Sequence, residues 1–120
     1  MVYSQSNPNT ALFDWWQQVH PIAVSLEKQI TTAPTERPTE AVDDAQHILP
    51  ELHASLAQIE NAPDTASMHD HLERAITYLI HAYQQLAQGR ADEVEFYYAS
   101  ALTQLAKLHY QLVQHGFTEA

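Results

Sequence analysis

Tyr83-Gln84-Gln85-Leu86-Ala87-Gln88-Gly89-Arg90-Ala91 is the stretch that decides the fold. Apolar residues at helical spacing run into it and a glycine interrupts them. A second helical pattern then begins, with Asp92, Glu93 and Glu95 at its front. Glycine just past a helix C-terminus accommodates the left-handed turn that ends a helix, and acidic side chains favour the positive end of the next helix dipole. The arrangement recurs at Tyr110-Gln111-Leu112-Val113-Gln114-His115-Gly116, and these are the only 2 glycines in 120 residues. The chain therefore lacks the glycine turns on which a sheet built from hairpins draws.

Working outward from Gly89, a fourth helix is predicted over about 91–115. Its apolar stripe is Val94, Tyr98, Ala101, Leu102, Leu105, Leu108 and Leu112. The third helix, about 65–88, carries Leu72, Ala75, Ile76, Leu79, Tyr83 and Leu86, with Asp64, Thr65 or Ser67 as its cap. Asn61-Ala62-Pro63-Asp64 is a turn. The second helix, about 39–61, opens at Thr39 with Glu40, Asp43 and Asp44 near its N-terminus, and presents Ala41, Ala45, Ile48, Leu49, Leu52, Leu56 and Ile59. Pro34 and Pro38 mark residues 32–38 as a stiff linker. The first helix, about 11–31 and capped by Thr10, presents Leu12, Trp15, Trp16, Val19, Ile22, Ala23, Leu26 and Ile30. Pro21 and Pro50 fall opposite their apolar stripes, where they either curve the helix or divide it. Short connections make sequential helices antiparallel. The expectation is an all-α, single-domain, up-down-up-down four-helix bundle over 10–116, between a flexible N-terminal tail (1–9) and a C-terminal tail (117–120).

Acidic residues outnumber basic ones 15 to 5, for a formal charge of −10. Such a surface repels phosphate backbones and anionic membranes, so neither nucleic acid nor membrane is the expected partner. With 0 cysteines, disulfides, thiolate chemistry and cysteine-ligated zinc are excluded. The N-terminal residues lack the basic start and apolar run of a secretory signal, and no apolar run approaches the roughly 18 residues of a membrane span, so a cytoplasmic location is expected.

Histidine is the one reactive residue in excess, at 8. His47, His71 and His81 fall on wet faces. His109 falls within the apolar stripe of the fourth helix, and His69 at the edge of the third. The turn at Gly89 brings position 69 level with 109 or 110. His53 and Glu73 sit at stripe edges in the same layer, and Glu73 follows His69 by four residues, on one helical face. Imidazole and carboxylate from facing helices are donors that bundles use for transition metals. His69, Glu73, His109 and His53 are thus a candidate metal or small-ligand site, set against the plainer expectation of core-edge histidines bonded to one another or to Glu73, with no cofactor.

Two short patterns resemble known helical families. His71-Leu72-Glu73-Arg74-Ala75 is similar to the phosphorylated segment of histidine phosphotransfer bundles, His-x-x-Lys-Gly, although the lysine and glycine are replaced and Glu73 opposes a phosphoryl group. Arg74 and His81, with six residues between them, resemble the Arg-x(4–6)-His pair of HEPN ribonucleases, an activity at odds with the acidic charge.

Phe96, Thr103 and Tyr110 recur every seven residues on the side of the fourth helix away from its core stripe; Phe13, His20 and Val24 do something similar on the first. A four-helix bundle leaves those faces wet, and aromatics are enriched at interface cores. The leading expectation is a non-enzymatic module that self-associates or binds another protein through these residues. The ligand-binding bundle is the alternative, ahead of the ribonuclease and phosphotransfer patterns.

Overall fold

Gly89 and Gly116 hold φ angles of +74° and +88°, the left-handed conformation that glycine adopts without a Cβ penalty. At Gly89 the helix end is closed by its own N–H on the Leu86 carbonyl (3.1 Å) and the Arg90 N–H on the Gln85 carbonyl (3.0 Å), the paired bonds of a Schellman cap. The computed structural model describes the backbone of residues 3–5 and 10–119 and the side chains of 11–117. In chain order it contains β1 (Tyr3–Gln5), α1 (Thr10–Ile30), a 3₁₀ turn (Pro34–Glu36), α2 (Thr39–Ala57), α3 (Ala66–Ala87), α4 (Ala91–Gln114) and β2 (Phe117–Glu119). The protein is an all-α four-helix bundle.

Side-chain contacts give the directions. Ser67 meets Gln111, His71 meets Gln104 and His81 stacks on Tyr97. All three pairs are centred close to Gly89, so α3 and α4 form an antiparallel hairpin. Trp15 near the start of α1 bonds His69 near the start of α3. The Tyr98 hydroxyl, early in α4, donates to the Ile30 carbonyl at the end of α1 (2.7 Å). Hence α1 runs with α3 and against α4, with α2 returning between α1 and α3.

The core is built mainly from the expected stripes. Leu12, Trp15, Trp16, Val19, Ala23 and Leu26 of α1 meet Ala45, Leu49 and Leu56 of α2, Leu72, Ala75, Ile76, Leu79 and Tyr83 of α3, and Val94, Ala101, Leu108 and Leu112 of α4. Pro21 and Pro50 are exposed inside helices that continue through them. The backbone bonds they remove lie on the wet side, where water replaces them.

Four expectations are corrected. The second helix stops at Ala57 rather than 61: the Gln58 and Ile59 amides bond to Ser55 and Leu56 in tight three-residue turns (3.2 and 3.1 Å), the geometry with which helices close. The linker contains a 3₁₀ turn whose Pro34 is buried. Arg37 anchors it, donating from Nη1 to the Gln29 side-chain oxygen and the Tyr83 hydroxyl, both at 2.9 Å. Thr65 stands at the cap of α3, but its hydroxyl bonds Ala62 instead of an α3 amide. Finally, the tails are not both loose. Strands β1 and β2 pair antiparallel, Tyr3 opposite Glu119 and Gln5 opposite Phe117. Phe117 is fully buried, edge-on to Trp16 at 6.0 Å. Residues 1, 2, 6–9 and 120 of the expected tails lie outside the described residues.

Candidate functional site

The histidines separate by the face each helix turns inward. His69 is buried, and its Nδ1 accepts the indole N–H of Trp15 at 3.2 Å, which places the proton of the neutral ring on Nε2. Burial holds its pKa below the usual histidine value, against the opposing pull of Glu73 and Asp70. Its partner is Trp15, not another histidine or Glu73. His109, expected inward, is exposed, as is Glu73; His53 is half-buried. The four candidate ligands thus differ in burial, from buried His69 to exposed Glu73 and His109. Among the described residues, no group of three or more histidine or acidic side chains is arranged to hold a metal ion.

Of the histidines expected on wet faces, His47 is borne out, and His71 and His81 are corrected to half-buried. His47 is exposed, its Nδ1 2.9 Å from the Asp43 carbonyl. His71 is half-buried between α3 and α4. The Gln111 amide nitrogen reaches Ser67 Oγ at 3.0 Å and His71 Nε2 at 3.2 Å, and His71 Nδ1 lies 2.7 Å from Gln104 Oε1. A Gln111 that donates to Nε2 leaves Nδ1–H to donate to Gln104, so both ring nitrogens are engaged within the protein. Arg74 pairs with Asp70 at 3.1 Å, and half-buried His81 lies stacked on Tyr97, ring centres 5.3 Å apart.

The aromatic stripe of α4 stands where its sequence spacing places it. Phe96 and Tyr110 are 65% and 63% exposed, and Thr103, also exposed, bonds only back to the Ala99 carbonyl of its own helix (3.0 Å). On α1, Phe13 is 38% exposed, whereas His20 and Val24 are half-buried, His20 edge-on to Trp16 at 5.5 Å. The α1 stripe therefore belongs largely to the flank of the bundle and the α4 stripe to its surface.

Three further residues complete the α4 face. Ala99, Ala106 and Val113 are exposed, the last at 51%. Phe96, Ala99, Thr103, Ala106, Tyr110 and Val113 follow one another at steps of three and four, the spacing of a coiled-coil seam. This seam lies on the back of α4, opposite Val94, Ala101, Leu108 and Leu112, which face the core. Leu102, expected in the core, is 39% exposed beside it. A groove of about 360 Å³ runs along its other side, lined by His71, Thr103, Ala106, Lys107, Tyr110 and Gln111. Two of its lining residues, His71 and Gln111, are hydrogen-bonded to each other.

The charge along this face differs from the rest of the molecule. Residues 96–118 contain none of the chain's 15 acidic residues; their formal charge comes from Lys107. Half of the six-residue seam is hidden in the sequence, because alanine and valine look unremarkable one at a time. The signal that reveals it is the three-four spacing combined with the acid-free run.

Among the described residues, no helix is long and apolar enough to cross a membrane. Comparison with protein-family models, with curated proteins and with solved structures finds no match.

Proposed function

We propose that the protein is a non-enzymatic interaction module that docks another helix against the outer face of α4. The observation that carries this reading is the exposed seam Phe96–Ala99–Thr103–Ala106–Tyr110–Val113, a coiled-coil repeat on a helix whose opposite face is already consumed by the bundle core. Aromatic residues at both ends supply most of the contact area, and small residues between them let a second helix approach closely. Tyrosine and phenylalanine are the types that anchor interface cores. Bonds inside the protein already occupy His69 and His71, which favours this role over catalysis by either ring.

Phe96→Ala combined with Tyr110→Ala tests the reading. The variant is expected to keep the helical circular dichroism and melting temperature of the parent, because a docking face contributes nothing to the fold of the single chain. An unfolded variant would show that the two rings belong to the core and that α4 has no docking face.

A further inference from the structure

We infer that the helix docked on α4 is α4 of a second copy of this chain, lying antiparallel across the seam. The inference rests on the docking role proposed above and adds the identity and direction of the occupant.

Charge decides where a second copy can dock. Each chain carries a formal charge of −10, so two copies repel over most of their surfaces. Residues 96–118 free the α4 face of acids, and there two copies can approach without bringing carboxylates together. Glu95, the nearest acid in the helix, precedes the seam, and in an antiparallel pair it lies beyond the partner's Val113.

The order of side chains supports the antiparallel direction. In antiparallel coiled coils the first apolar position of one heptad packs in a layer with the second apolar position of the other helix. Applied to the six seam residues, this gives three kinds of layer: Phe96 with the second copy's Val113, Tyr110 with its Ala99, and Thr103 with its Ala106. Each layer pairs a larger side chain with a smaller one, and the two central layers hold only threonine and alanine. A parallel pair instead sets Phe96 on Phe96, Tyr110 on Tyr110 and alanine on alanine, leaving gaps between bulky layers. The large-on-small layers form in the antiparallel direction only, and there a two-fold axis across the seam makes the same patch serve on both copies.

Area sets the strength. Two aromatic rings about two-thirds exposed, each of ~200 Å² in full, together with Val113 and the small residues, offer on the order of 400 Å² of apolar surface per copy. The resulting ~800 Å² of apolar surface for the pair, at the roughly 65% apolar share of homodimer interfaces, corresponds to about 1,200 Å² in all, the lower edge of the roughly 1,200–2,000 Å² of standard stable complexes. The dimer is therefore reversible, and it tightens as salt screens the repulsion between the two acidic bodies.

The test uses the full chain, which contains no cysteine of its own. Single variants Phe96→Cys and Val113→Cys are oxidised separately and mixed, and disulfide-linked peptides are identified by mass spectrometry. In the antiparallel dimer each engineered cysteine lies about 25 Å along the helix from its own copy, far beyond the 4.4–6.8 Å between Cα atoms that a disulfide spans. The mixture is then expected to give the 96–113 crosslink at least tenfold faster than either variant gives its own homodimer. Light scattering of the parent is expected to approach twice the 13.6 kDa chain mass as protein and salt concentrations rise. Self-crosslinking of each variant alone overturns the antiparallel direction. A parent that stays monomeric at about 1 mM overturns the second copy as occupant. Neither failure is the failure of the docking face itself, which shows as unfolding of the Phe96→Ala, Tyr110→Ala variant.

Discussion

Replacing Phe117 with alanine removes a side chain that lies three residues past the end of α4 yet is completely buried, edge-on to Trp16. A buried phenylalanine removes ~150–250 Å² from water, worth about 4–6 kcal/mol at ~25 cal/mol per Å², an upper bound because the unfolded chain already hides some of it. Phe→Ala changes in closed cores cost about 3–5 kcal/mol. Phe117 sits on a two-stranded ribbon that can shift to refill the space, so the lower end, about 3 kcal/mol, is expected. With an unfolding entropy near 2.1 cal/mol/K per residue, a chain of 120 residues loses roughly 12 °C of melting temperature. Thermal unfolding followed by circular dichroism reads this directly, and guanidinium titration checks that the slope, and hence the exposed area, is unchanged. Deleting residues 117–120 is expected to cost the same to within about 1 kcal/mol, since an isolated two-stranded ribbon adds little. A drop below about 4 °C for Phe117→Ala would refute the assignment of this residue to the core.

Three other perturbations probe the rest of the bundle. His69 is held neutral by burial, so above the unfolded-state value of ~6.5 it adds no pH dependence. As pH falls below that value the unfolded chain takes up the proton first, and stability declines until the lower folded-state value is passed. His69→Gln, which keeps an acceptor for Trp15, is expected to flatten the melting-temperature profile between pH 5 and 7; parallel profiles would remove His69 from the account. Gly89→Ala meets no atom within 4 Å but must hold φ at +74°, and strain alone is expected to cost about 1–2 kcal/mol in denaturant titrations. Arg37→Ala strips partners from the buried Gln29 and Tyr83, with a loss of roughly 1–3 kcal/mol and faster proteolysis in residues 31–38; an unchanged cleavage rate there would mean that the arginine does not pin the linker.

The helices are legible in the sequence because two glycines and a set of stripes at one period all point to the same elements. The rotation of α4 is not. Gln104 reads as a polar residue to be kept wet, which draws the inferred stripe toward Leu102 and His109. In the structure Gln104 is buried, because its side-chain oxygen meets the ring of His71. The helix turns Gln104 inward and releases Leu102 and His109 to the surface. That rotation leaves His109 exposed while His69 is buried. Phe117 escapes for a different reason: a lone aromatic after a terminal glycine has no period to betray it, and its burial depends on Trp16, near the other end of the chain. The α4 seam lies between these cases, since Phe96, Thr103 and Tyr110 declare its line but not its width.

The pairing of Tyr3 with Glu119 also determines how the molecule answers a mechanical load. Antiparallel strands pulled from these two outer ends separate bond by bond, like a zip, and never bear the load on all their bonds together. The next obstacle is the Phe117 ring, lodged against Trp16. Stretched between its ends, the chain should yield first at the ribbon, at small force, and then at one aromatic latch whose release leaves the helices free to peel apart.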